Sequence, residues 1–177
     1  MAVFNPNESV ELVEYDPRWP ALFREERARL EAVLGDGVVE IKHIGSTSIP
    51  GLRAKPILDI LAAVETFEPL EDYQRRLEPL GYYFHSHEND AERLFFWKSA
   101  PRTHHLHIVE FATWEHQRHL IFRDYLRQHA DVAKLYEELK TELAETCAGD
   151  RAAYTSGKSA FIRATVTRAV KEIGARR

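Results

Sequence analysis

The stretch His43-Ile-Gly-Ser-Thr-Ser-Ile-Pro-Gly-Leu-Arg-Ala-Lys-Pro-Ile-Leu-Asp59 constrains this chain more than any other. An apolar, β-branched run from Val38 to Ile44 ends at Gly45, and the chain then turns through hydroxyl, proline and glycine residues. It re-enters an apolar run, Ile57 to Val64, whose single charged residue is Asp59. A nearly continuous apolar strand is what a sheet covered on both faces demands. A carboxylate inside such a strand is costly unless it is paired or bound. Hydroxyls (Ser46, Thr47, Ser48), cations (Arg53, Lys55) and an acid are thus gathered beside a core. That mixture suits a phosphate-bearing ligand.

The remaining periodicities set out a mixed chain. Val10 to Tyr15 reads as a short strand entering Asp16-Pro17, a helix start. Trp19, Leu22, Phe23, Leu30, Val33 and Leu34 recur at helical spacing and stop at Gly35-Asp36-Gly37. Gly45 to Pro56 is a loop, and Glu68 to Leu80 a helix ending at Gly81. Strands are predicted over Tyr82–Ser86, Arg93–Ser99 and Thr103–Phe111, with connections short enough for an antiparallel meander. After Ala112 three helices follow, Trp114–His129, Asp131–Cys147 and Arg151–Ile173, with Asp131 and Asp150 as expected caps. Val132, Leu135, Tyr136, Leu139 and Leu143 form one expected apolar stripe. The expectation is an α+β core over residues 1–112 and a helical bundle over 113–177.

Composition narrows the partners. At 177 residues, 44% hydrophobic and 29% charged, the chain is long and apolar enough to bury a core. A net charge of -4 argues against a general grip on a nucleic-acid backbone. Cys147 is the single cysteine, so no disulfide framework and no cysteine-built zinc site is expected. No apolar run of about 18 residues and no leader pattern occurs, which makes a cytoplasmic location the expectation and gives no membrane partner.

Several residues are candidates for chemistry. Gly45 at a strand end lets backbone N–H groups approach an anion, and Ser46 adds a donor. Asp59 is either an acid of the site or the partner of Lys55, Arg53 or His43 in a structural bridge. Arg53 and Lys55 either neutralise phosphate or are solvated loop charges. In a strand, His105 and His107 share one face, and His104, Leu106, Ile108 and Glu110 the other. If that strand lies beside Asp59, the two histidines and the carboxylate form a transition-metal set. Otherwise the histidines bond within the sheet or bind phosphate. Glu110 is a second acid candidate. Tyr154 and Lys158 are spaced i, i+4, so Lys158 either snorkels from the last helix or reaches an anion held by the loop. Arg123 and Tyr125 are further candidates to reach it.

His43-Ile-Gly-Ser-Thr-Ser-Ile-Pro-Gly-Leu, Lys55-Pro-Ile-Leu-Asp-Ile, His104-His-Leu-His-Ile-Val-Glu, Phe122-Arg-Asp-Tyr-Leu-Arg and Tyr154-Thr-Ser-Gly-Lys-Ser-Ala-Phe-Ile together resemble the GrpB family, from about Val10 to Ile173. The resemblance implies a nucleotidyltransferase-like fold: a mixed sheet with flanking helices, then a bundle closing a cleft. It also implies an association with a CoA-pathway enzyme, because a similar domain is fused to dephospho-CoA kinase in some bacteria. The superfamily pattern is Gly-Ser on one strand, Asp-x-Asp/Glu on the next and a third acid later. Gly45-Ser46 and Asp59 fit it, but Leu61 stands where the second acid is expected.

The resulting expectation is a protein that binds a nucleoside triphosphate and transfers a nucleotidyl group to a small hydroxylated or aminated acceptor. Ser46, Ser48 and the backbone after Gly45 would hold phosphates, with Lys55 and Lys158 neutralising them. Asp59 would bind Mg²⁺, Mn²⁺ or Zn²⁺ with His105, His107 or Glu110. The alternatives are a non-catalytic module for a nucleotide or CoA-like ligand, favoured by Leu61, and a metal-dependent phosphohydrolase at the histidine strand.

Overall fold

The apolar run around Asp59 is an interior strand of the sheet, covered on both faces. The computed structural model describes residues 10–175 apart from positions 87, 89, 100 and 148. Strand β1 (Val38–Ile44) pairs antiparallel with β2 (Leu58–Val64), and β2 pairs parallel with β5 (His104–Glu110). Strand β5 pairs antiparallel with β4 (Arg93–Lys98), and β4 with β3 (Tyr82–Phe84). The order is β1-β2-β5-β4-β3, a mixed sheet with the predicted meander as one half. The parallel β2–β5 pairing exists because the intervening chain leaves the sheet as α2 (Leu70–Leu77) before the meander returns it.

One face of the sheet is a dry core. Helix α1 (Trp19–Leu34) and α2 lay Leu30, Leu34, Tyr73 and Leu77 on Ile41, Ile60, Leu106 and Ile108. The other face turns toward α3 (Trp114–Gln128), α4 (Ala130–Thr146), α5 (Arg151–Gly157) and α6 (Ser159–Ala175). There the helices pack on the turn after β1: Ile49 and Leu52 join Tyr125, Leu126, Val132, Tyr136 and Ala169. The architecture is α+β, with the mixed sheet and C-terminal helices expected from the sequence.

Local details differ. The strand expected over Val10–Tyr15 reduces to a single bridge, Val13 to Ala54. Helix α4 starts after His129 without a side-chain cap, so Asp131 lies in its first turn instead of capping it. Asp150 does cap α5, accepting from the Ala153 N–H at 2.9 Å. Leu135 is exposed, and the buried stripe of α4 runs Val132, Tyr136, Lys140. The helix predicted over Arg151–Ile173 is broken between Gly157 and Ser159. Gly157 lies so close to α4 that a Cβ there would meet Leu143 at 2.6 Å. Among the described residues no helix is long and apolar enough to cross a membrane.

Candidate functional site

Strand β1 delivers the chain to Gly45, whose φ of 67° lies in the left-handed region. A Cβ at this position would overlap the Asp59 carboxylate, so a glycine is required on both counts. Close approach of this backbone to Asp59 is what the Gly-Ser signature encodes. The next residues form a tight 3₁₀ turn, Ser46–Ser48. Its inner hydroxyls are spent on the turn itself. Thr47 Oγ1 donates to the Ile57 carbonyl at 3.2 Å and meets His43 Nε2 at 2.9 Å, while Ser48 Oγ donates to the Gly45 carbonyl at 2.6 Å. Thr47 and Ser48 therefore do not present free hydroxyls, in contrast to the expectation. The Ser46 hydroxyl faces the buried Tyr136 hydroxyl.

Asp59 pairs in register with His105 across β2 and β5. The His105 Nδ1 donates to Asp59 Oδ1 at 2.9 Å. This partner is neither Lys55, Arg53 nor His43. The neutral ring that donates through Nδ1 carries a lone pair on Nε2, and that atom is buried without a hydrogen-bond partner. Burial pushes the Asp59 carboxyl up, but the His105 hydrogen bond and the positive field around it, Lys55 included, outweigh it, holding the group well below the usual carboxylate range. Asp59 is enclosed by protein, yet 28% of its side chain remains exposed, as expected for a group in a recess.

Lys55 and Lys158 meet at this recess. Both ammonium groups lie over the Tyr154 ring, at 4.8 and 4.5 Å from its centroid. Among the described residues neither has a hydrogen-bonding or ion-pair partner. Burial, then Lys158 and Arg151, push Lys55 down to about 7, against a smaller opposing pull from Asp59. Burial also lowers Lys158. The recess thus gathers Lys55, Lys158 and Arg151 near the Asp59 carboxylate.

The structure separates other candidates from this cluster. Arg53 pairs with Glu14 at 3.1 Å, and its N–H donates to Glu137 at 2.8 Å. Arg123 donates to the His43 carbonyl at 3.1 Å and pairs with Asp124 at 2.7 Å, so it clamps α3 to β1. Tyr125 is buried in the helical core with its hydroxyl on Glu172 at 3.0 Å. Glu110 lies on the opposite face, accepting from the Phe67 N–H at 3.2 Å. His107 shares the face of Asp59 but sits deeper, against Phe95 and His119. Among the described residues no group of three His, Cys, Asp or Glu side chains can hold a metal ion. Asp59, His105 and His107 therefore do not close into the expected ligand set, because the first two bond each other. Leu61, in the place of the second acid, is buried with Ile44, Ala63 and Val109.

Arg151 and Tyr136 were not singled out by sequence reasoning. The spacing Arg151, Tyr154, Lys158 is i, i+3, i+7 and was a usable signal. Tyr136 looks like any aromatic of an apolar stripe.

The comparisons with known proteins bear on the family and the fold. UPF0157 protein YqkA of Bacillus subtilis (strain 168) is 39% identical over 166 residues, 92% of this chain and 48% of YqkA. The chain spans about half the length of that relative. The crystal structure of conserved protein GrpB from Enterococcus faecalis superposes with a TM-score of 0.84 at 36% identity, covering 92% of this chain and 99% of that one. A Cid1 poly(U) polymerase structure shares the fold alone, with a TM-score of 0.51 at 13% identity over 76% of this chain and 43% of that one. The family model described as GrpB protein matches residues 9–168, and this chain belongs to the GrpB family.

Proposed function

We propose that the recess binds a nucleoside triphosphate through its phosphates. The observation that carries this reading is the pair Lys55 and Lys158, enclosed over one aromatic ring without an anionic partner among the described residues. Two half-buried cations over one ring repel each other and lose part of their hydration. An incoming polyphosphate reverses both costs. Ser46 and the backbone after Gly45 supply neutral donors on one side, and Arg151 a third cation on the other. The nucleotide-dependent Cid1 fold neighbour adds support at the level of architecture. CoA carries an adenine nucleotide, so it belongs in the same test, as does the association with a CoA-pathway enzyme that the family resemblance suggests.

Nucleotidyl transfer is the second reading, and Asp59 favours it. Its carboxylate is exposed within the recess beside Gly45. The residues present do not fit a two-metal centre, since Leu61 offers no ligand and no three-ligand group exists among the described residues.

The test is thermal unfolding with ATP, UTP and CoA, each with and without Mg²⁺, Mn²⁺ or Zn²⁺, alongside an assay for released pyrophosphate. A ligand at a hundred times its dissociation constant adds about 2.7 kcal/mol. We expect a nucleotide-dependent rise that is absent in Lys55→Met/Lys158→Met. Equal rises in both proteins contradict the reading. Pyrophosphate release with hydroxylated or aminated acceptors, lost in Asp59→Asn, carries the second reading as well.

A further inference from the structure

On the face of the sheet that carries Asp59, a continuous row crosses four strands. Tyr83 on β3 pairs in register with Trp97 on β4, Trp97 with His105 on β5, and His105 with Asp59 on β2. Strand pairing fixes all four side chains on one face. The row begins at the outer edge of the sheet and ends at the cation cluster. At roughly 4.8 Å per strand it spans about 14 Å.

The outer half of this row is aromatic. The Tyr83 and Trp97 rings lie 5.7 Å apart, tilted by 46°. The Arg102 guanidinium sits 5.1 Å from the Trp97 ring centroid. Tyr83 is 40% exposed, an unusual state for a ring whose neighbours Phe95 and Trp97 are buried. Arg102 also contributes positive field at Lys55, so the aromatic end and the cationic end are within electrostatic reach of each other.

We infer that this row is the subsite for the planar ring of the ligand: a nucleobase stacks on Tyr83 and the Arg102 guanidinium, with Trp97 beneath. The inference rests on the phosphate reading of Lys55 and Lys158, and it fixes which way the nucleotide lies. The phosphates sit at the β2 end and the base at the β3 edge. Aromatic rings and guanidinium planes both stack on bases, and stacking tolerates every base because each has a π-face. The cleft then distinguishes nucleotides from inorganic polyphosphates without choosing sharply among bases.

The experiment is calorimetric titration of ATP, UTP and inorganic tripolyphosphate into the wild-type protein, Tyr83→Ala, Tyr83→Phe and Arg102→Gln. Base stacking predicts that wild type binds ATP and UTP on the order of 10- to 100-fold more tightly than tripolyphosphate. Tyr83→Ala and Arg102→Gln reduce that preference, and Tyr83→Phe keeps it, with tripolyphosphate affinity unchanged in the two Tyr83 variants. Tripolyphosphate bound as tightly as the nucleotides overturns the base subsite and leaves the phosphate reading standing. A preference that survives Tyr83→Ala also overturns it. Binding of none of the three ligands overturns both.

Discussion

On the face of the sheet covered by α1, Glu26 is buried but accepts from Lys98 Nζ at 2.7 Å, the Tyr82 hydroxyl at 3.0 Å and Arg29 at 3.0 Å. On the face turned to the C-terminal helices, Lys55 and Lys158 share one tyrosine ring with no anion bonded to them among the described residues. Both faces enclose charge. The first closes its network within the chain, which makes it structural. The second leaves positive charge to be balanced from outside, which makes it a site. The partners of the charged groups separate the two faces.

The largest effect that sharpens this contrast belongs to the closed face. Glu26→Ala strands Lys98 and is expected to cost about 3–5 kcal/mol in urea unfolding. A cost below about 1 kcal/mol would mean that the network is not closed. His43 gives the next effect. Burial, with Arg127 and Arg123, pushes it down to about 4 against the opposing field of Asp59. The unfolded chain therefore binds a proton that the folded one refuses between about pH 6.5 and 4. Stability falls as pH drops through that window, by roughly 3 kcal/mol from this group. His43→Gln should flatten the fall by about one proton; an unchanged slope would assign it elsewhere.

Gly45→Ala comes third, at roughly 2 kcal/mol, because it combines left-handed strain with overlap on Asp59. A neutral result would show that the recess is looser than its geometry. The smallest effect has the opposite sign. Lys55→Met removes a half-buried cation and is expected to stabilise the protein by about 1 kcal/mol at pH 7 while weakening nucleotide binding. The folded lysine titrates near 7 and the unfolded one near 10.5, so this group makes stability rise with pH between those values. In Lys55→Met the slope should shrink by about one proton, leaving the share of Lys140 and Lys158, which burial also lowers.

Much of this contrast was legible in the sequence. The apolar run around Asp59 announced a doubly covered strand, and the Gly45-Ser46 signature announced a close backbone approach. What was not legible were the partners. Period-two alternation put His105 and His107 on one face, but it could not show that Asp59 would spend an oxygen on His105. Nor could it show that Arg123, Arg127 and Lys140 would be used on the carbonyls of His43, Ser48 and Arg53. An arginine that clamps a turn and one that binds phosphate look the same in a sequence, because the difference lies in contacts between residues far apart in the chain. The aromatic row from Tyr83 to Asp59 depends on the pairing of four strands and has no local signature.

The most direct test is the titration of the Lys55 side chain by NMR, without and with ATP. The account predicts a pKa of about 7 in the free protein, rising toward the ordinary lysine value when the triphosphate is bound. An ordinary value near 10.5 that ATP does not change would mean that the lysine is solvated, and the recess would have no unbalanced charge to offer a ligand.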